Sequence, residues 1–251
     1  MANRSAIWLG VLASGTLALG TGCNEAKDTG AVTSRSGGET SRAPAAETLE
    51  ERNLALVRAV NVIPDGDPVT IWAGDSAAFT GVGYSQATPY REITDNMFRF
   101  QIRAGGVDGE ALAENRESLD DGGHYTIVAL PSAEEGRRTL RVLDDDQKPV
   151  PSDKARVRFV NGVPGDSNVD LFVRGRDEPL FDDVKFATEA GWDEFDPIAG
   201  TLVVRPDDRN TSLATLPNVK LEGGKSYTFV LAGRPGRKYE LVKIEDEVAV
   251  K

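Results

Sequence analysis

"ARVRFVNGVPGDSNVDLFVRG" occupies residues 155–175, and a hundred residues earlier the chain carries "ALVRAVNVIPDGDPVTIWAG" at residues 55–74. In the later stretch Val169, Leu171 and Val173 alternate with Asp170, Phe172 and Arg174. That period of two belongs to a strand with one face in a core. The earlier stretch aligns with it without a gap: Val57-Arg58-Ala59-Val60-Asn61 lies over Val157-Arg158-Phe159-Val160-Asn161, Pro64 over Pro164, and Val69 and Ile71 over Val169 and Leu171.

The echo continues in the same order to the end of the chain. Val82-Gly83-Tyr84 matches Val184-Lys185-Phe186, Tyr90 matches Trp192, and Phe100, Ile102 and Arg103 match Leu202, Val204 and Arg205. "LDDGGHYTIVAL" (119–130) matches "LEGGKSYTFVLA" (221–232), and "LRVLDDD" (140–146) matches "LVKIEDE" (241–247). An ordered set of matches at one spacing is the mark of an internal repeat. The chain therefore reads as two copies, residues 53–148 and 155–248. They are joined by a linker, residues 149–154, inside "QKPVPSDK", whose prolines oppose sheet pairing.

Turn clusters such as "GRDEP", "DPIAG", "PDDRN" and "EGGKS" recur in the second copy. A spacing of roughly eight to twelve residues gives about seven short strands per copy. The fold class expected is all-β: two tandem immunoglobulin-like antiparallel β-sandwich domains.

The phrase at 155–175, followed by "VKFATEAGW" and closed by "LEGGKSYTFVLAG", resembles the bacterial family called domain of unknown function 4397. Members show an R-h-x-N-x-x-P opening, a V-D strand and a late G-x-x-Y-T strand. The likeness extends over nearly all of residues 54–248 and is looser in the first copy, where Thr70 stands in place of Asp170. It implies tandem sandwiches, a cell-envelope location and frequent lipoprotein anchoring, and it brings no reaction.

Residues 1–23 read as an export signal. Arg4 supplies a positive start, residues 6–20 are uncharged and short for a membrane span, and small residues lead into Cys23, the only cysteine. A lone cysteine has no intramolecular disulfide partner. Its setting resembles the lipobox of bacterial lipoproteins, with Gly20 at the place where Leu is usual and Leu19 one step back. The resemblance implies lipidation of Cys23, which then becomes the mature N-terminus and the contact with the membrane. Asn24 follows it, where Asp is the usual inner-membrane retention signal, so an outer-membrane or cell-surface lipoprotein is expected. Residues 24–52 form the expected flexible linker: 24–46 are rich in Ser, Thr, Gly and Ala and poor in large apolar side chains. Such a segment spans roughly 25–30 Å. Residues 47–53 suit either a short helix or more tether.

With 29 Lys and Arg against 40 Asp and Glu, the chain carries a net charge of −11. That balance excludes a nucleic-acid partner, which demands a concentrated basic face. Catalytic constellations are missing from the sequence: His124 is the only histidine, it sits in the turn "DDGGHY" where an exposed position is expected, and its counterpart is Ser226. There is no GxSxG, P-loop or dinucleotide fingerprint. Residues 166–170 place oxygen ligands alternately, yet Leu171 stands where a calcium loop needs glycine and Asp177 where it needs Glu. No enzyme, cofactor or metal site is expected. The candidate ligand-binding residues are aromatic: Trp72, Tyr90, Phe172 and Trp192, whose rings suit a glycan or an envelope protein partner if exposed. The leading expectation is a non-catalytic, lipid-anchored envelope protein that displays two sandwiches as a binding or spacer element. The alternative is a carbohydrate-binding surface or periplasmic protein using those rings.

Overall fold

The structure, a computed structural model, describes residues 48–94, 99–104, 108–134, 137–165 and 167–246. The export signal, Cys23 and the linker up to residue 47 lie outside the described residues. From residue 48 the chain enters through one helical turn. Thr48 and Glu51 cap each other, Thr48 N–H donating to Glu51 Oε2 (2.8 Å) and Glu51 N–H to Thr48 Oγ1 (3.2 Å).

The first copy holds nine strands: β1 (Leu54–Asn61), β2 (Val69–Ala73), β3 (Ser76–Val82), β4 (Gln86–Ala87), β5 (Arg91–Thr94), β6 (Arg99–Ala104), β7 (Ala111–Arg116), β8 (His124–Pro131) and β9 (Arg138–Asp144). The second holds eight: β10 (Ala155–Asn161), β11 (Val169–Val173), β12 (Phe181–Val184), β13 (Glu189–Phe195), β14 (Ile198–Pro206), β15 (Ala214–Leu221), β16 (Ser226–Gly233) and β17 (Tyr239–Asp246). The counts differ because β4 and β5 both pair with β1, where the second copy runs the single strand β13 along β10. Thr88–Tyr90 carry Pro89 and interrupt the edge.

Each copy is a sandwich of two sheets. In the first copy these are β4/β5–β1–β8–β9 and β3–β2–β6–β7; in the second, β13–β10–β16–β17 and β12–β11–β14–β15. The all-β, two-sandwich expectation holds. Pairing is antiparallel except once per copy, where the first strand runs parallel to the last strand but one, β1 with β8 and β10 with β16. These partners are far apart in sequence, and no local hairpin forces an antiparallel register on them.

Alternation fills two separate cores. Val57, Ala59, Ile71, Phe100, Ile102 and Ile127 meet inside the first sandwich, and Val157, Phe159, Leu171, Val204, Tyr227 and Phe229 inside the second. Repeated polar side chains pin the same corners in both. Tyr125 Oη accepts from the Asp120 N–H (2.9 Å) and Tyr227 Oη from the Glu222 N–H (3.0 Å), the tyrosine-corner arrangement of sandwich folds. Asn61 donates to Val82 O and accepts from the Ile63 N–H, both at 2.9 Å. Asn161 repeats this with Val184 O (3.0 Å) and Val163 N–H (3.1 Å).

The strands β8 and β16 are buried along their whole length, on both faces. Their second faces meet a third apolar cluster drawn from both copies: Val60, Val128, Leu130 and Leu143 against Val160, Val230, Ala232 and Ile244. The sheet of β1 and β8 thus packs on the sheet of β10 and β16. Gly162 lies at this seam: a Cβ there would come within 2.5 Å of Leu231 O, 3.0 Å of Leu130 Cδ2 and 3.3 Å of Val62 Cγ2.

Candidate functional site

The polar centre of the seam is built from repeated residues. Arg58 on β1 and Arg158 on β10 both point out of their own cores toward the other copy, and they are 4% and 0% exposed. Each first satisfies its Nε within its own copy, donating to Thr126 Oγ1 or Thr228 Oγ1 at 2.8 Å. Each then crosses over. The Nη2 of Arg58 pairs with Asp246 at the end of β17, and the Nη2 of Arg158 pairs with Asp145 just beyond β9. The carboxylates are held in turn by hydroxyls, Thr126 donating to Asp145 Oδ2 (2.7 Å) and Thr228 to Asp246 Oδ2 (2.8 Å). Asp145 also lies 3.9 Å from Arg58 Nε. Two cations and two anions therefore balance inside the seam, as burial of charge requires.

Two of the sequence-predicted aromatics belong to this cluster. The Arg58 guanidinium stands 4.9 Å from the ring centre of Tyr90, and that of Arg158 stands 4.4 Å from Trp192. Tyr90 donates its hydroxyl to Asp145 Oδ2 (2.7 Å). Trp192 Nε1 reaches across the seam to Asp144 O (3.4 Å). Burial raises the Tyr90 pKa, Asp145 raises it further, and Arg58 opposes the change, so the phenol remains a donor. Burial works against the charge of Arg58, but Asp246, Tyr90 and Asp145 outweigh it and its pKa is raised. Glu189, 3.6 Å from Arg158 Nη1, closes the rim; burial raises its pKa and Arg158 works in the opposite sense.

The other two aromatics lie elsewhere. Trp72 on β2 and Phe172 on β11 belong to the sheets away from the seam, at equivalent places. Arg103 stands 4.1 Å from the Trp72 ring centre and Arg205 4.6 Å from that of Phe172. The structure therefore gathers Tyr90 and Trp192 at one centre and leaves Trp72 and Phe172 apart from it and from each other. His124 departs from the expected exposed turn. It is the first residue of β8, 9% exposed, with its ring edge-on to Tyr90 at 5.7 Å. Tyr90 of the same copy packs on the ring, and burial lowers the His124 pKa against the pull of Gly122 and the nearby Asp145. Asp170, weighed as a calcium ligand, accepts from the Asp183 N–H (2.9 Å) across the β11–β12 edge.

Sequence reading missed Arg58, Arg158, Thr126, Thr228, Asp145 and Asp246 as a unit. The signal was present, since all three types recur at matching places in both copies. A polar residue at an outward strand position is ordinary on its own, and only the packing of the copies gives these a common destination.

A profile of the family described as domain of unknown function (DUF4397) matches residues 55–172 and again 156–251. The chain is a double-sandwich protein, and it belongs to this family. The C-terminal domain of AlgF from P. aeruginosa is similar at 23% identity, covering 38% of this chain and 99% of that one with a TM-score of 0.31. A structure concerned with α-glucan binding by a streptococcal virulence factor is similar at 9% identity, covering 70% of this chain and 92% of that one with a TM-score of 0.22. No curated protein matches the chain.

Proposed function

We propose that this is a non-catalytic cell-envelope protein, held to a membrane by lipid on Cys23, that presents its two sandwiches as one stiff binding or spacer element. The observation that carries the reading is the crossed Arg–Asp arrangement at Arg58–Asp246 and Arg158–Asp145, backed by the apolar seam. Charges buried on both sides tie each copy to the other, so a load or ligand at one copy is felt by both. The rings favour this reading over sugar stacking, because a guanidinium already lies against each of Trp72, Tyr90, Phe172 and Trp192.

Cys23→Ala in the producing cell tests the anchor. The unaltered chain is expected to incorporate labelled fatty acid and to sediment with membranes, and the variant to do neither. An unaltered chain that takes no label and stays in the soluble fraction sinks the lipoprotein reading.

A further inference from the structure

A cleft of about 680 Å³ opens at one end of the seam, between Pro131–Glu134 and Arg138 of the first copy and residues around Val163, Arg209 and Arg234 of the second. Part of its wall is apolar, formed by Val163, Leu213, Leu231 and Tyr239, with Pro131 and Pro206 at its sides. Three arginines face it: Arg138 from the first copy, and Arg209 and Arg234 from the second. Arg209 is paired with Asp208 (3.0 Å) and donates to Ser167 Oγ (3.1 Å), so Arg138 and Arg234 carry the charge of the site. Among the described residues Glu134 is the single acid in the lining, and it pairs with Arg137 (3.2 Å). Arg138 and Arg234 make no ion pair with any described carboxylate. Arg138 Nη1 donates to Arg137 O (2.7 Å) and Arg234 Nη2 to Pro64 O (3.3 Å), which leaves most of their donors without a partner among the described residues. Burial lowers the pKa of Arg138, and the charge of Arg234 lowers it further: two like charges face one space.

Among the described residues the matching loop space of the other copy, about 450 Å³, is lined by Asp65 and Asp67 and shares Arg138. Ser132 holds the place equivalent to Arg234. Arg234 is therefore outside the repeated set that builds the fold.

We propose that this cleft binds an organic anion, its carboxylate or phosphate group held by Arg138 and Arg234 and its apolar body lying against Val163, Leu213 and Tyr239. Guanidinium forks match both headgroups bidentately, and the size and lining suit a small ligand. The site gives the display element something to bind, and it stands or falls independently of the lipid at Cys23.

Titration calorimetry on the purified full chain tests it with four probes: phenyl phosphate, 4-phenylbutyrate, inorganic phosphate and the uncharged 4-phenylbutanol. At least one of the two organic anions is expected to saturate one site per chain, and which one does so identifies the headgroup. The alcohol is expected to bind at least about tenfold more weakly, as are Arg138→Gln and Arg234→Gln chains toward the anion. Arg209→Gln, on an exposed loop where folding is not at stake, is expected to weaken binding by about threefold. No binding of either organic anion overturns the proposal. So does equal binding of the alcohol, or of inorganic phosphate relative to phenyl phosphate, or undiminished binding by an Arg138→Gln/Arg234→Gln chain whose melting temperature is unchanged.

Discussion

Arg158 has no exposed surface, so its charge is tolerated only through the company it keeps: Asp145 from the other copy, Thr228 from its own and the Asp144 carbonyl at 3.0 Å. Removing one member strands the rest. Asp145→Ala is expected to lower unfolding free energy by about 3–5 kcal/mol, the usual cost of breaking a buried pair. Replacing both partners, Arg158→Met with Asp145→Leu, is expected to recover most of that loss. Urea denaturation of the single and double variants checks both, and a double variant no better than Asp145→Ala contradicts the pairing. Little of this was legible in the sequence. Arg58 and Arg158 sit at outward positions of strands whose inward residues are apolar, which is also how a solvated arginine looks. Asp145 and Asp246 fall within acidic runs that suit an exposed strand end.

Among the elements, the short strands were readable from alternation, as in β11 with Val169, Leu171 and Val173 inward. The buried strands were readable only in part. Ser226–Gly233 has no solvent face, and its second set of apolar residues, Val230 and Ala232, belongs to the seam rather than to its own core. The parallel pairing of β1 with β8 was hidden because it depends on strands far apart in the chain. What the repeat did mark was the asparagine at the end of β1 and β10. Asn161 closes the turn after β10 by accepting from the Val163 N–H and ties it to β12 by donating to the Val184 carbonyl, both bonds buried. Asn161→Ala leaves the Val163 N–H and the Val184 carbonyl without that partner, and is expected to cost roughly 1–3 kcal/mol. Asn61→Ala is expected to cost a similar amount in the first copy. Thermal denaturation of the two variants measures both, and a change within the scatter of repeated scans tells against the role.

At the scale of the whole molecule, the two sandwiches share an apolar contact and are expected to melt together. A lysine at Val128 would put an ammonium group among Val60, Val160 and Val230. Differential scanning calorimetry is expected to show one transition for the unaltered chain and two for Val128→Lys, since each sandwich keeps its own core. One transition at an unchanged temperature in the variant speaks against a shared contact.

The crossing of the Arg–Asp pairs also has a symmetry. Arg58 meets Asp246 as Arg158 meets Asp145, so equivalent patches face each other about an approximate dyad, the relation of an isologous homodimer. Two subunits of this kind have been written into one polypeptide. Fusion frees the halves from having to be identical, and the arginine at 234 opposite the serine at 132 is a difference that two copies of a single gene product could not have carried.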